Sequence, residues 1–255
     1  MSTTQAMLRA RAALVPEHWT RARAASVALF RAGFAPVVTG SLAAWLHGAE
    51  LAPADVDLEV PLFALAQSAG RADRSLSEER TSLHAMAASL HSGPPKVDVV
   101  TPGQGAECPV PQWVWLDGVA IVGALYVTVR ALARVAALVR GYDVRNVHAA
   151  DLGRARDLAA VHGVDALDPG AWAGFRPALE LLAAGCNGDE AVRALEAVPD
   201  DVVAKLFSAT PMRGVQVIRP TAPRERNRSA RPVLSHHNPT SGRSVALTPR
   251  CVPWP

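Results

Sequence analysis

The stretch PVVTGSLAAWLHGAELAPADVDLEV, residues 36–60, contains two short apolar segments separated by a helical segment and a loop. Its first residues, PVVT, predict a short buried strand that ends at Gly40-Ser41. The next residues, SLAAWLHG, predict a helix that is stopped by a glycine. The last residues, DVDLEV, alternate polar and apolar side chains, which is typical of a strand with one buried face. The order strand, helix, loop, strand predicts an α/β fold.

The segments on either side of this stretch predict more helices and strands around one sheet. Residues 16–32 predict an opening helix and residues 61–69 another. Ser75 and Glu78 form a capping box ahead of a helix that runs to about His91. KVDVVT then predicts a strand, and WVWL-DG-VAIV predicts a hairpin with an Asp-Gly turn. Because the hairpin brings in an antiparallel pair, we expect a mixed sheet with flanking helices.

The second half of the chain is predicted to be helical. Helices are expected at 128–140, 147–162, 171–184 and 188–207, the first of them strongly amphipathic. The chain therefore divides into an α/β core, a helical domain and a C-terminal tail, at residues 1–127, 128–210 and 211–255.

The charge of the chain is unevenly distributed. The 255 residues carry a net charge of +3, and 49% of them are hydrophobic, which is ample for a core. Residues 211–255 hold eight arginines against one acid, a net charge of +7, which leaves −4 for the rest. The basic character thus belongs to the tail and does not indicate nucleic-acid binding by the folded body. With few clustered apolar residues, the tail is predicted to be disordered.

Cysteine usage and hydropathy predict a cytoplasmic protein. Three cysteines lie far apart without CxxC spacing, so neither a disulfide framework nor a zinc site is indicated. Charged residues interrupt the amino terminus, and no segment offers the roughly 18 apolar residues of a membrane helix. We therefore expect neither secretion nor a membrane-spanning segment.

Three aspartates form the candidate catalytic and metal-binding set. Asp55 and Asp57 are two residues apart in a strand, so both carboxylates project from one face. Asp98 lies in the next strand-like segment, and we expect it to join them. Such carboxylates repel one another unless a divalent cation compensates their charge, and oxygen ligands select Mg²⁺ or Mn²⁺. This arrangement suits phosphoryl transfer, with Asp98 nearest the acceptor, while Gly40-Ser41 offers N–H groups and a hydroxyl to a triphosphate.

These residues resemble the nucleotidyltransferase superfamily, whose signature is a strand ending in Gly-Ser or Gly-Gly, a helix, Asp-x-Asp and a third acid on a later strand. The segment VRALARVAALVRG is similar to the leucine-rich helix of AbiEii-type nucleotidyltransferases, the toxins of abortive-infection toxin–antitoxin systems. The resemblance spans roughly residues 36–152. It implies a nucleotidyltransferase fold and transfer of a nucleoside monophosphate from an NTP to a hydroxyl or phosphate acceptor.

The same resemblance suggests further site residues and partners. Arg134 stands where that family has a lysine, and Asp151 matches its later acid, so both are expected to bind nucleotide; His148 departs from the earlier acid. Lys96 shares a strand face with Asp98 and either contacts phosphate or forms an ordinary ion pair. Acceptors across such families include RNA ends, proteins and small antibiotics, and an antitoxin protein is a possible partner.

Two alternatives stay open at the level of sequence. One is an antibiotic-modifying nucleotidyltransferase, for which a deep acidic pocket is expected. The other is a non-catalytic binding module with a decayed metal site, for which Arg134 and His148 are the best support. Trp113 and Trp115 alternate on one hairpin face, where they either stack a base or pack against the sheet.

Overall fold

The computed structural model describes residues 2–100, 113–140, 148–167, 174–186 and 188–207. In chain order its elements are α1 Thr3–Ala13, α2 Pro16–Arg31, β1 Val37–Thr39, α3 Gly40–Leu46, β2 Val56–Glu59, α4 Leu62–Arg71, α5 Leu76–Leu90, β3 Val97–Val100, β4 Trp113–Leu116, β5 Val119–Val122, α6 Ala124–Val139, α7 His148–His162, a short 3₁₀ helix Asp165–Leu167, α8 Arg176–Ala183, α9 Gly188–Glu196 and α10 Asp200–Phe207. The predicted tail at 211–255 lies outside the described residues.

The strands form one five-stranded mixed sheet in the order β3-β2-β1-β5-β4. β1 runs antiparallel to β2 and parallel to β5, and β2 runs parallel to β3. β4 and β5 form the predicted hairpin, whose turn residues Asp117 and Gly118 both have positive φ, at 48° and 81°. The α/β class and the mixed sheet are therefore confirmed.

Local sequence accounts for most of the elements of the first half. The capping box at the start of α5 is present, since Ser75 and Glu78 each bond the other's backbone N–H. The helix α2 has Pro16 at its first turn, where the missing N–H costs nothing. The sequence did not predict helix α1, which precedes the expected opening helix. Its N-cap is Ser2, whose side chain accepts a hydrogen bond from the Gln5 backbone N–H.

The helical second half differs from the expectation at two places. α6 begins at Ala124, so the boundary predicted between 127 and 128 falls inside this helix. The segment 188–207 forms two helices instead of one, α9 and α10. Pro199 explains the break, because a proline in a helix interior lacks the N–H and clashes with the preceding turn.

The buried apolar residues form one continuous cluster that joins the sheet to the helical half. It extends from Leu8 on α1 through Ile121 on β5 and Leu132 on α6 to Val203 on α10. Arg140, the residue after α6, contacts α9 and α10: it donates hydrogen bonds to the carbonyls of Leu195, Glu196 and Val198 and pairs with Asp200. Within the described residues, no helix is long and apolar enough to cross a membrane.

Candidate active site

Three carboxylates converge at one end of the neighbouring strands β2 and β3. Asp57 on β2 lies directly opposite Asp98 on the parallel strand β3, and Asp55 precedes β2 by one residue. Val56 and Leu58, between and after the two aspartates, are fully buried. One carboxylate oxygen from each of Asp55, Asp57 and Asp98 lies within 4.8 Å of the others. The sequence predicted this convergence from strand parity and order; the role of these residues as metal ligands stays a prediction.

The turn from β1 into α3 holds two of these carboxylates in place. Gly40 has a φ of +63°, and a Cβ added there would lie 1.9 Å from Asp57 Oδ2. A glycine is therefore required by Asp57 itself, whatever else binds near this turn. The Ser41 hydroxyl donates to Asp55 Oδ1 at 3.0 Å, and the Ser41 backbone N–H donates to Asp57. Gly40 and Ser41 thus position the carboxylates, and their predicted role in nucleotide binding stays a prediction.

The negative charge of the cluster is only partly compensated by the groups around it. Burial raises the pKa of Asp57 to about 7, and the charges of Asp55 and Asp98 contribute in the same direction. The positive charge of Arg134 and the hydrogen bond from Ser41 lower that pKa, but by less. Near neutral pH, Asp57 therefore holds a proton more readily than an ordinary aspartate does. Three oxygen donors at this separation fit one hard divalent cation such as Mg²⁺ or Mn²⁺, whose charge removes the repulsion.

A histidine contacts the third carboxylate. His91 Nδ1 lies 2.9 Å from Asp98 Oδ1, and the two side chains are 48% and 44% exposed. His91 is the C-cap residue of α5, and α5 leads into β3. The sequence did not indicate this contact, because His91 and Asp98 do not form a spaced pair of metal-ligand type. The available signal was that His91 ends the helix before the strand that carries Asp98.

Two arginines share one buried carboxylate beside the aspartates. Arg134 Nε on α6 lies 3.5 Å from Asp151 Oδ2, and Arg154 Nη1 lies 3.1 Å from Asp151 Oδ1. Because Arg134 also acts on the pKa of Asp57, this group borders the carboxylate cluster. The structure therefore brings together the predicted residues Arg134 and Asp151, and adds Arg154, which the sequence did not indicate. Lys96 immediately precedes β3 and is exposed.

The acidic face of β2 continues beyond Asp57. Glu59, two residues further along, is buried, and the Tyr126 hydroxyl lies 2.7 Å from both of its carboxylate oxygens. The guanidinium of Arg130 sits over the Tyr126 ring, 5.7 Å from its centroid. Arg130 lies one turn before Arg134 on α6. The sequence analysis gave Glu59 no role. An acidic residue at i+2 from Asp57 was the signal for it.

The two tryptophans of the hairpin have different surroundings. Trp113 stacks on Phe63 of α4, with ring centroids 5.8 Å apart and planes 17° apart. Trp115 is 56% exposed. The packed alternative is therefore observed for Trp113, and Trp115 presents its ring at the edge strand of the sheet.

Comparisons of the chain with protein-family models, with curated proteins and with solved structures found no match. The family suggested by the motifs therefore stays a prediction, and the function has to be argued from the site.

Proposed function

We propose that this protein is a metal-dependent nucleotidyltransferase that transfers a nucleoside monophosphate from an NTP to a hydroxyl or phosphate acceptor. The observation that supports this proposal is the convergence of Asp55, Asp57 and Asp98 on two neighbouring parallel strands. The turn that holds them has the strand, Gly-Ser, helix order of the superfamily that the sequence resembles.

The reaction follows from the chemistry of the groups present. The acceptor oxygen forms a bond to the α-phosphorus, and the bond from that phosphorus to the oxygen bridging to the β-phosphate breaks. Pyrophosphate leaves with the electron pair. A divalent cation held by the three aspartates supplies charge neutralisation on the phosphates when bound. The proton of the acceptor goes to Asp98, whose carboxyl is 44% exposed and lies on the edge strand β3.

Ser41 and Arg134 would orient the carboxylates and supply positive charge for this step. Ser41 fixes the orientation of Asp55 by its hydroxyl and that of Asp57 by its backbone N–H. Arg134 supplies a permanent positive charge that acts on Asp57, since a guanidinium stays protonated at neutral pH. Positioned charges of this kind lower the barrier to phosphoryl transfer.

The uncompensated cluster argues against a purely structural role. Carboxylates that share a site raise each other's pKa and destabilise the fold when ionised. A turn glycine leaves the space that Asp57 occupies, so the local backbone accommodates the cluster. Local costs of this kind are typical of functional sites.

The test is transfer of radiolabel from each of the four α-labelled NTPs in Mg²⁺ or Mn²⁺. Total cellular RNA, total protein and an aminoglycoside serve as separate acceptors, so that the labelled product identifies the acceptor class. Asp57→Asn removes one ligand, and Asp165→Asn, at a side chain 93% exposed on the 3₁₀ helix, is the matched control. We expect transfer by the wild type and the control and its loss in Asp57→Asn. Equal transfer by both variants, or none with any pairing, contradicts the proposal.

A further inference from the structure

We propose that Arg21 is a positioning residue of the cation site, which holds the turn after α5 so that His91 contacts the third carboxylate, Asp98. The inference rests on the proposed function only for the presence of a cation at the three aspartates. Arg21 lies on α2, outside the motifs that resemble nucleotidyltransferases.

The backbone on both sides of His91 is held by one guanidinium group. Arg21 Nη2 donates to the carbonyl of Leu90 at 2.8 Å and also to the carbonyl of Ser92. The last carbonyls of a helix have no partner within the helix, so the carbonyl of Leu90, at the end of α5, needs a donor from elsewhere. Residues 91–94 are exposed, and among the described residues Arg21 is the source of every side-chain hydrogen bond that the backbone of this turn receives from another element. Arg21 therefore fixes the backbone position of His91.

The helix that carries Arg21 is fixed relative to the aspartates. α2 packs against β2 and β3, the strands of Asp57 and Asp98. Ala22 and Ala25, next to Arg21 and one turn further along, are buried. A contact from this helix therefore sets the distance between the turn and the two strands. Arg21 Nε is buried and has no hydrogen-bond partner within the described residues, so the side chain forgoes one bond in the conformation that lets Nη2 reach both carbonyls.

Asp98 depends on this turn more than the other two carboxylates do on theirs. Ser41 bonds Asp55 through its hydroxyl and Asp57 through its backbone N–H. Asp98 lies on the edge strand β3 with a side chain 44% exposed, and the contact that holds it in the described part of the chain is His91 Nδ1, 2.9 Å from its Oδ1. Groups that orient a metal ligand without touching the metal change its affinity roughly 10- to 100-fold. A shift of the turn would remove the constraint that orients Asp98 toward the other two carboxylates.

Mn²⁺ titration of the full chain by spin resonance tests the proposal without requiring catalysis. Arg21→Gln removes the donor from both carbonyls, and the control Arg23→Gln removes the same charge from an exposed position two residues later on α2. Each titration is run at a temperature at which melting curves show the variant to be folded, so that a loss of stability alone does not change the Kd. We expect the Kd of Arg21→Gln to rise roughly three- to tenfold, no more than that of His91→Leu, because Arg21 acts on the ligand through His91. The control should bind Mn²⁺ as the wild type does.

A double-mutant cycle decides whether the effect passes through His91. In the His91→Leu background, Arg21→Gln should leave the Kd within about twofold of that of His91→Leu alone, because the contact that Arg21 supports is already gone. Magnetic resonance of ¹⁵N-labelled histidine in the metal-free protein gives an independent readout. The His91 Nδ1 signal should move in Arg21→Gln toward its position in Asp98→Ala, where the contact is absent, and stay in place in Arg23→Gln. Arg21→Lys keeps the charge on a shorter side chain and enters the same cycle if the glutamine variant does not fold.

The outcomes separate this inference from the proposed function. An unchanged Kd in the Arg21 variant, an equal rise in both backgrounds or an unmoved His91 signal overturns the positioning role. If label transfer fails with every NTP but Arg21 still determines Mn²⁺ affinity through His91, the positioning role stands and the enzymatic proposal falls. If transfer succeeds and Arg21 has no effect on Mn²⁺ affinity, only the present inference falls. A wild type that binds no Mn²⁺ overturns both.

Discussion

Replacing Asp57 with Asn should stabilise the metal-free protein while abolishing transfer. The amide keeps the size and the acceptor oxygen facing the Ser41 N–H, but removes the charge that Asp55 and Asp98 repel. Raising the pKa of Asp57 from 3.8 to about 7 costs on the order of 4 kcal/mol of folding free energy above pH 7. At roughly 2–4 °C per kcal/mol for a chain of this size, the variant should melt on the order of 10 °C higher in EDTA.

The pH dependence identifies the cause of this stabilisation. Between pH 3.8 and about 7 the native Asp57 binds more protons than the unfolded one, so the wild type loses stability as pH rises through this window. The stability difference between variant and wild type should therefore be small near pH 4 and complete by about pH 8. His47, whose pKa burial lowers to about 4, destabilises both proteins equally as pH falls below its ordinary value and cancels in the comparison.

The assay is thermal melting in EDTA from pH 4 to 8, paired with label transfer in Mg²⁺. Saturating Mg²⁺ should raise the melting temperature of the wild type, since a ligand that binds the native state stabilises it, and should have less effect on Asp57→Asn. The variant should lose on the order of 10²-fold or more in transfer rate, about 3 kcal/mol. A variant that melts lower than the wild type at pH 8 in EDTA, with unchanged transfer, would refute the reasoning.

Three other substitutions test single contacts. Gly40→Ala should lower the free energy of unfolding, measured by denaturant titration, by on the order of 2 kcal/mol or more. In an Asp57→Ala background the loss should be only about 1 kcal/mol, because the steric conflict is gone and only the positive φ remains. Equal losses in both backgrounds would exclude the steric conflict. His91→Leu should weaken Mn²⁺ binding on the order of tenfold, as measured by spin-resonance titration. His91→Gln should restore the Mn²⁺ affinity, because glutamine can still donate a hydrogen bond to Asp98. An unchanged affinity in His91→Leu would mean that the contact has no role in metal binding. Arg140→Gln should lower the free energy of unfolding by about 3 kcal/mol, because carbonyls of α9 and of the turn after it lose their hydrogen-bond donor. The transfer rate per folded molecule should stay unchanged.

The parts of the fold that the sequence predicted correctly are those determined by local patterns. The alternation in DVDLEV was sufficient to place Asp55 and Asp57 on one face, because side chains in a strand have a period of two. The capping box and the Asp-Gly turn depend on backbone conformations that few residue types favour. Pro199 is an equally local indication of a helix break, but the prediction for 188–207 did not use it. The structure therefore has two helices where one was predicted.

The contacts that the sequence did not indicate depend on how successive elements pack against each other. His91 meets Asp98 because α5 ends beside the edge strand, and nothing in the spacing of the two residues requires that contact. Arg154 joins Arg134 only through the register in which α7 packs on α6. The predicted reason for Gly40 was a phosphate, whereas the atom nearest to its missing side chain belongs to Asp57, which comes from another strand.

The acidic groups and the arginines of the site are held in place by different contacts. Ser41 orients Asp55 and Asp57 through hydrogen bonds from neutral donors, so their negative charge stays in the site. Asp151 on α7 holds Arg134 and Arg154, each at a different carboxylate oxygen. Arg134 also acts on the charge of Asp57, so it links the two groups. Under the proposed function, acids and a guanidinium group anchored in this way suit a ligand that brings both charges together, and a metal-bound triphosphate has that chemistry.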